Sequence, residues 1–304
     1  MARAIVHVGL PKTGTTSIQV FLKLNRAALE AQGLIYMPPR LSLHSQIEYA
    51  FIGCSEAGAL VPDHIEKAVR KIETLEDQRA VTSKFEERLA EELAAHPEAT
   101  FVISCEQIGA YLRTPELRGA LDRWLRARFS QVQYLLYIRP MEEFFLSIYS
   151  EAVKRGHTGD LDSFIATANE LPMAKTARDW SAQFPGRVAV RLKPANGAEI
   201  FAEFAGLVGL PMEGLVLPKP HNTALSRWEA AWMRKANRIL GPADRRGRGT
   251  RYFAHQVRRA IRLLVGRGPK LALSPCERAL INMRFPVSVE KTATELRERG
   301  WTGR

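Results

Sequence analysis

Residues 4–17 read Ala4-Ile-Val-His-Val8-Gly9-Leu-Pro-Lys12-Thr13-Gly14-Thr15-Thr16-Ser17. The run at 4–8 is short, apolar and β-branched, and it ends on glycine, which is the pattern of a buried strand. Beyond Gly14 the period changes. Ile18, Phe21, Leu22 and Leu29 recur at helical spacing, so residues 16–32 are expected to form a helix, with Gly33 where a helix stop belongs. Strand, glycine turn and helix in that order open a crossover unit. The skeleton Gly-x4-Gly-x-Thr is the frame of a loop that cradles phosphate. Gly14 lets the backbone approach an anion, which then meets amide N–H groups and the positive end of the helix dipole. A nucleotide triphosphate loop carries lysine directly after its second glycine; here Thr15 holds that place and the lysine stands three residues earlier, at Lys12.

Working outward, residues 34–37, 100–104, 132–138 and 187–192 read as further strands. Residues 62–96, 115–129, 140–155 and 199–208 read as helices, with Pro140 in a first-turn position and Gly156 as a stop. Strands separated by helices of this length require crossover connections, hence an α/β fold with a mainly parallel sheet flanked by helices on both faces. From residue 219 the strand signal disappears and four helical patterns follow, at 226–240, 252–265, 275–283 and 287–299. The expected organisation is therefore a core at 1–218 and a helical C-terminal extension at 219–304 packed on it. In that extension Phe253, Val257, Ile261 and Leu264 share a face suited to packing inward, leaving Arg258, Arg259 and Arg262 outside.

Tyr137-Ile-Arg139-Pro140 closes the clearest strand, and Ser147 follows Arg139 by eight residues, about two and a quarter helical turns. An arginine at the carboxyl end of a parallel strand stands on the rim where open α/β sheets bind ligands, and its planar donor fork suits phosphate. Ser104-Cys105-Glu106 ends another strand on the same rim. His44 lies in the loop after Pro38-Pro39. His7, inside the first strand, reads as a core residue, and His221 stands where the core ends.

Pro11-Lys12-Thr13-Gly14-Thr15-Thr16 together with Arg139-x7-Ser147 resembles the two nucleotide-binding elements of sulfotransferases that use 3'-phosphoadenosine 5'-phosphosulfate (PAPS), of the bacterial, carbohydrate type. The resemblance covers about residues 4–210 in element order. It implies a P-loop-NTPase-like sheet, PAPS as sulfuryl donor, 3',5'-ADP as product and no metal. It places Lys12, Thr13, Gly14, Thr15, Thr16 and Ser17 on the 5'-phosphosulfate, and Arg139 and Ser147 on the 3'-phosphate. Lys12 then stabilises the bridging oxygen. Glu106, at the rim position where many members carry histidine, is the expected general base, with His44 as the alternative. The glycine-rich basic loop at 245–251 is similar to the family's C-terminal loop that closes on PAPS.

The chain has 304 residues, 46% hydrophobic and 25% charged, which excludes disordered and fibrous classes. Its three cysteines, Cys54, Cys105 and Cys276, form no framework, and a reducing, cytoplasmic setting fits them. The net charge of +12 is confined to one segment. Residues 219–270 hold 14 Lys and Arg against 2 Asp and Glu, and the rest of the chain holds 30 of each sign. Such a field draws polyanions: nucleotide phosphate, an acidic glycan acceptor or an anionic membrane surface. The expected acceptor is a hydroxyl of a sugar. Two other classes stay open: a kinase or NTPase with a variant loop, and a basic module binding nucleic acid or membrane. No nucleic-acid motif is present, so a nucleic-acid partner is not expected.

Overall fold

The computed structural model describes all residues except 64, 169–171, 220–223, 242–249, 266–267, 287 and 303–304. In chain order the elements are β1 (Arg3–Val8), α1 (Thr15–Leu24), α2 (Arg26–Ala31), β2 (Leu34–Ile35), α3 (Glu48–Glu56), α4 (Ile65–Val69), α5 (Leu75–Ala95), β3 (Thr100–Cys105), α6 (Glu106–Tyr111), α7 (Pro115–Arg126), β4 (Gln131–Ile138), α8 (Met141–Lys154), α9 (Leu161–Thr167), α10 (Pro172–Gln183), β5 (Val188–Leu192), α11 (Glu199–Val208), α12 (Arg227–Leu240), α13 (Thr250–Leu264), α14 (Pro275–Arg284) and α15 (Val289–Arg299). They form two compact units: Met1–Ile138 with Pro172–Pro220 and Val289–Arg304, and Arg139–Leu171 with His221–Ser288.

The first unit is built on a five-stranded sheet in the order β2-β3-β1-β4-β5, parallel at every pairing. The register puts His7 level with Ser104 and Leu135, and Val6 level with Ile103 and Tyr134. One face carries Ile5, Val102, Leu135 and Tyr137 and is covered by Ile18, Phe21 and Leu22 of α1 and by Phe201 and Phe204 of α11. On the other face Tyr134 packs against Trp180 and Phe184 and donates to Asp122 of α7 at 2.7 Å. Both faces are covered, which is why the strands read as continuous apolar runs rather than alternating ones. The expected α/β sheet with helices on both faces is therefore observed.

Four expectations are corrected, the last of them on α13. The helix anticipated at 16–32 is two helices, because Asn25 leaves helical geometry and ties its side chain to Val216, accepting from its N–H at 2.7 Å and donating to its C=O at 2.9 Å. The strand at 34–37 stops at Ile35. The division at residue 218 is also not the one the packing follows. Helix α15 belongs to the sheet unit, where Trp301 donates its N–H to Val188 O at 3.3 Å and Arg178 bonds Thr292 at 2.9 Å. Residues 139–171 belong to the helical unit, where Phe145, Tyr149 and Val153 of α8 share a core with Leu225, Ala230 and Met233.

In that second unit the inward face of α13 is shifted by about one residue from the sequence reading: Ile261 packs on the core as expected and Val257 is half-buried, but Ala254 and Arg258 take the inner positions beside them. Arg258 is buried, 2% exposed, donating to Asn237 Oδ1 at 2.6 Å and to the carbonyl of Gly241. Phe253 and Leu264, expected to face inward, are 62% and 84% exposed.

Candidate functional site

The site is built at the carboxyl ends of β1, β3 and β5, all within the sheet unit. The chain leaves β1 at Gly9, whose N–H donates to Cys105 O at 3.0 Å. That bond holds the loop against the start of α6, so closely that a β-carbon on Gly9 would lie 2.6 Å from Thr15 Cγ2 and 2.7 Å from Glu106 Cα. Gly109, further along α6, lies against the same loop; a β-carbon there would stand 2.4 Å from Gly9 O. The loop then turns inward on itself. Thr13 Oγ1 donates to Leu10 O at 2.8 Å and Thr15 Oγ1 to the same carbonyl at 3.4 Å, both hydroxyls buried.

Two residues of the loop have left-handed backbone: Gly14 (φ 92) and Lys12 (φ 66). For lysine this conformation costs about 1–2 kcal/mol, and such strain persists where the surrounding structure enforces it, most often at functional sites. Gly14 is the N-cap of α1. It offers no side-chain cap, and the first turn of α1 carries no acidic residue. First-turn amides have no intrahelical partner, so the N–H groups of Thr15, Thr16 and Ser17, with the helix dipole behind them, form an end suited to an anion. Helices α5, α7, α9, α12 and α14 are each capped by a Thr, Asp or Ser side chain, whereas α2, α3, α6, α8 and α11 share with α1 the lack of one.

Glu106 opens α6 and is half-buried. Burial pushes its carboxyl above the usual glutamate range, and the Lys12 ammonium acts against that shift. The two side chains therefore share one electrostatic environment. Ser45 Oγ accepts from the Glu106 N–H at 3.3 Å and donates to Gln107 Oε1, while Gln46 exchanges bonds with the backbone of Ser104 at 2.7 and 3.2 Å. His44 precedes this anchored pair; its N–H donates to Ser42 Oγ at 3.5 Å and its carbonyl accepts from the Tyr36 hydroxyl at 3.2 Å. His7 lies below the rim, fully buried, with Nδ1 2.9 Å from Ser104 Oγ; burial lowers its pKa to about 3, so it is neutral.

Lys193 is the rim residue that sequence reading passed over. It follows β5, donates its N–H to Ile138 O at 2.7 Å and its ammonium to Pro194 O at 2.8 Å. Its Cε lies 3.8 Å from where a β-carbon on Gly14 would be, and Ile200 Cδ1 lies 2.9 Å from the same point. A second cation thus flanks the loop. The signal for it was the place of Lys193 at the end of a buried strand, the same criterion that singled out Arg139.

Arg139 and Ser147 belong to the helical unit. Arg139 Nε donates to Glu143 Oε2 at 3.2 Å across one turn of α8. Burial draws the Arg139 guanidinium below its ordinary pKa, and Glu143 opposes that change. Ser147 is half-buried two turns along α8. His221 and residues 245–249 of the basic loop lie outside the described residues. Among the described residues no group of three or more His, Cys, Asp or Glu converges as a metal site does, and no helix is long and apolar enough to cross a membrane. The chain matches no protein-family model, and neither curated proteins nor solved structures show a match to it.

The tight seat of α6 on the loop has a measurable consequence. Gly109→Ala places a methyl group against the Gly9 carbonyl and Leu10, where backbone must yield. Alanine is the better helix former, yet overpacking of this kind costs about 1–3 kcal/mol, so chemical denaturation is expected to show a net loss of stability. An unchanged or raised midpoint would mean the two segments are not in contact.

Proposed function

We propose that the chain is a sulfotransferase that moves the sulfuryl group from PAPS to a hydroxyl acceptor, with a sugar hydroxyl as the favoured acceptor class. The observation that carries this reading is the β1–α1 loop, in which Lys12 is held in left-handed backbone beside an uncapped helix N-terminus, with Glu106 directly across the Gly9 backbone. The position that holds lysine in triphosphate-binding loops holds Thr15, whose hydroxyl is turned inward onto Leu10 O. The loop's own cation is Lys12.

In this reading the amides of Gly14, Thr15, Thr16 and Ser17 take the 5'-phosphosulfate, and Lys193 adds a second positive charge beside Gly14. Glu106 accepts the proton of the acceptor hydroxyl as its oxygen bonds to sulfur. The bond between sulfur and the bridging oxygen breaks, and Lys12 stabilises the charge that collects on that oxygen. The products are a sulfate ester and 3',5'-ADP. The raised pKa of Glu106 suits a base, since a carboxyl with higher proton affinity takes a proton more readily. Arg139 and Ser147 are assigned to the 3'-phosphate on their sequence pattern.

Calorimetric titration with 3',5'-ADP, ADP and ATP with magnesium tests the reading. A charge-assisted contact to the 3'-phosphate contributes about 1.5–3 kcal/mol, so 3',5'-ADP is expected to bind roughly 10- to 100-fold more tightly than ADP. Arg139→Ala is expected to abolish that preference. Preferred binding of ATP with magnesium would instead assign the loop to a kinase or NTPase.

A further inference from the structure

The helical unit exposes apolar side chains that its own core does not use. On α12, Trp228, Trp232, Lys235 and Ile239 fall at i, i+4, i+7 and i+11, a single stripe along the helix. Trp228 and Trp232 are each 55% exposed and Ile239 is 88% exposed. The opposite side of the same helix buries Glu229, Ala230, Met233 and Asn237, so α12 is amphipathic with apolar residues on its outward side as well. On α13, Tyr252, Phe253, Leu263 and Leu264 are all exposed. The two helices pack on each other and are joined by the Arg258–Asn237 bond.

Around these residues stand exposed cations: Arg227, Lys235 and Arg238 on α12, Arg259 on α13, and Lys270. Lys270 is tied to Ser226, at the start of α12, by a bridge, and Gly268 in the same segment packs against the Trp228 ring. This is also the segment that holds the entire net charge of +12.

We infer that α12 and α13 form a docking surface for an anionic lipid bilayer. Charge and side-chain chemistry both select that occupant. Tryptophan and tyrosine favour the headgroup boundary of a membrane, leucine and isoleucine favour the acyl region below it, and Lys and Arg pair with anionic headgroups. A nucleic acid would be served by the cations and rings, but it has no use for Ile239, Leu263 and Leu264. A second copy of the chain would bring one strongly positive segment against another. The inference does not depend on the catalytic reading; it stands on the helical unit alone.

Vesicle flotation at low salt tests it, with phosphatidylcholine vesicles compared with vesicles containing roughly 30% phosphatidylglycerol. The expected result is flotation with the anionic vesicles only, weakened by salt, with a blue shift of the emission of Trp228 and Trp232. Two variants leave every charge in place: Trp232→Ala with Ile239→Ala, and Leu263→Ala with Leu264→Ala. Each removes only exposed side chains, so circular dichroism and thermal melts are expected to match wild type, while vesicle affinity falls on the order of tenfold. Absence of flotation, or unchanged flotation in both variants, would overturn the inference. Salt-sensitive binding to duplex DNA without vesicle binding would assign the surface to nucleic acid. Self-association abolished by the same variants, without vesicle binding, would assign it to a second copy.

Discussion

Lys12→Ala is expected to lower kcat for sulfuryl transfer by about 10²- to 10³-fold, the usual effect of deleting one preorganised group that meets developing charge. Lys12 adopts φ 66, a conformation that favours glycine, and the loop holds it there between Gly9, pressed on Glu106, and Gly14, pressed by Ile200. Loss of activity in the alanine variant alone could follow from a disturbed turn, so Lys12→Gly is the control. Glycine accepts the left-handed backbone and removes about 1–2 kcal/mol of strain, while its unfolded chain gains back about 0.5–1 kcal/mol of entropy. Stability is therefore expected to be unchanged or slightly raised, with activity as low as in the alanine variant. A glycine variant that is stable and fully active would remove Lys12 from the reaction.

Glu106→Gln is expected to lower kcat by about 10²- to 10⁴-fold, the range for removal of a general base. In the proposed role Glu106 must be ionised to act as base, so activity is expected to rise with pH through its pKa. Burial places that value above the ordinary glutamate range, and Lys12 limits the rise. The acid limb of the kcat profile is thus expected above pH ~4.3, the unperturbed value. Stability follows the opposite sense. A carboxyl whose folded pKa is raised adds stability that is fully present below its unfolded pKa and is lost as pH rises through the folded one. Relative to the glutamine variant, the wild type is therefore expected to lose stability across that interval, so that at neutral pH the variant is at least as stable and yet inactive. Retention of both activity and the acid limb would pass the role to another group, with His44 the next candidate.

How much of this was legible in the sequence depends on the distance over which each feature is determined. The β1 strand, the Gly9–Gly14 loop and the start of α1 follow from adjacent residues, and their pattern is read without knowing the fold. The parallel sheet is legible because each strand is separated from the next by a helical stretch. The break at Asn25 is not, because its partner Val216 is 191 residues away. Nor does local patterning reveal that α15 returns to β5, or that residues 139–171 pack with 221–288. On α13 the apolar periodicity locates Ile261 on the inner side but not Arg258, because the acceptors that bury Arg258 belong to Asn237 and Gly241. The place of Lys193 at the end of a strand was legible, but that its side chain reaches Gly14 follows only from the folded arrangement of β5 and α11.

The most direct measurement is the structure of the chain with 3',5'-ADP bound. The 5'-phosphate oxygens are expected within about 2.7–3.2 Å of the amide nitrogens at the start of α1 and of Lys12 Nζ. A nucleotide bound elsewhere, with the Gly9–Ser17 loop making no phosphate contact, would contradict the proposed role of the loop.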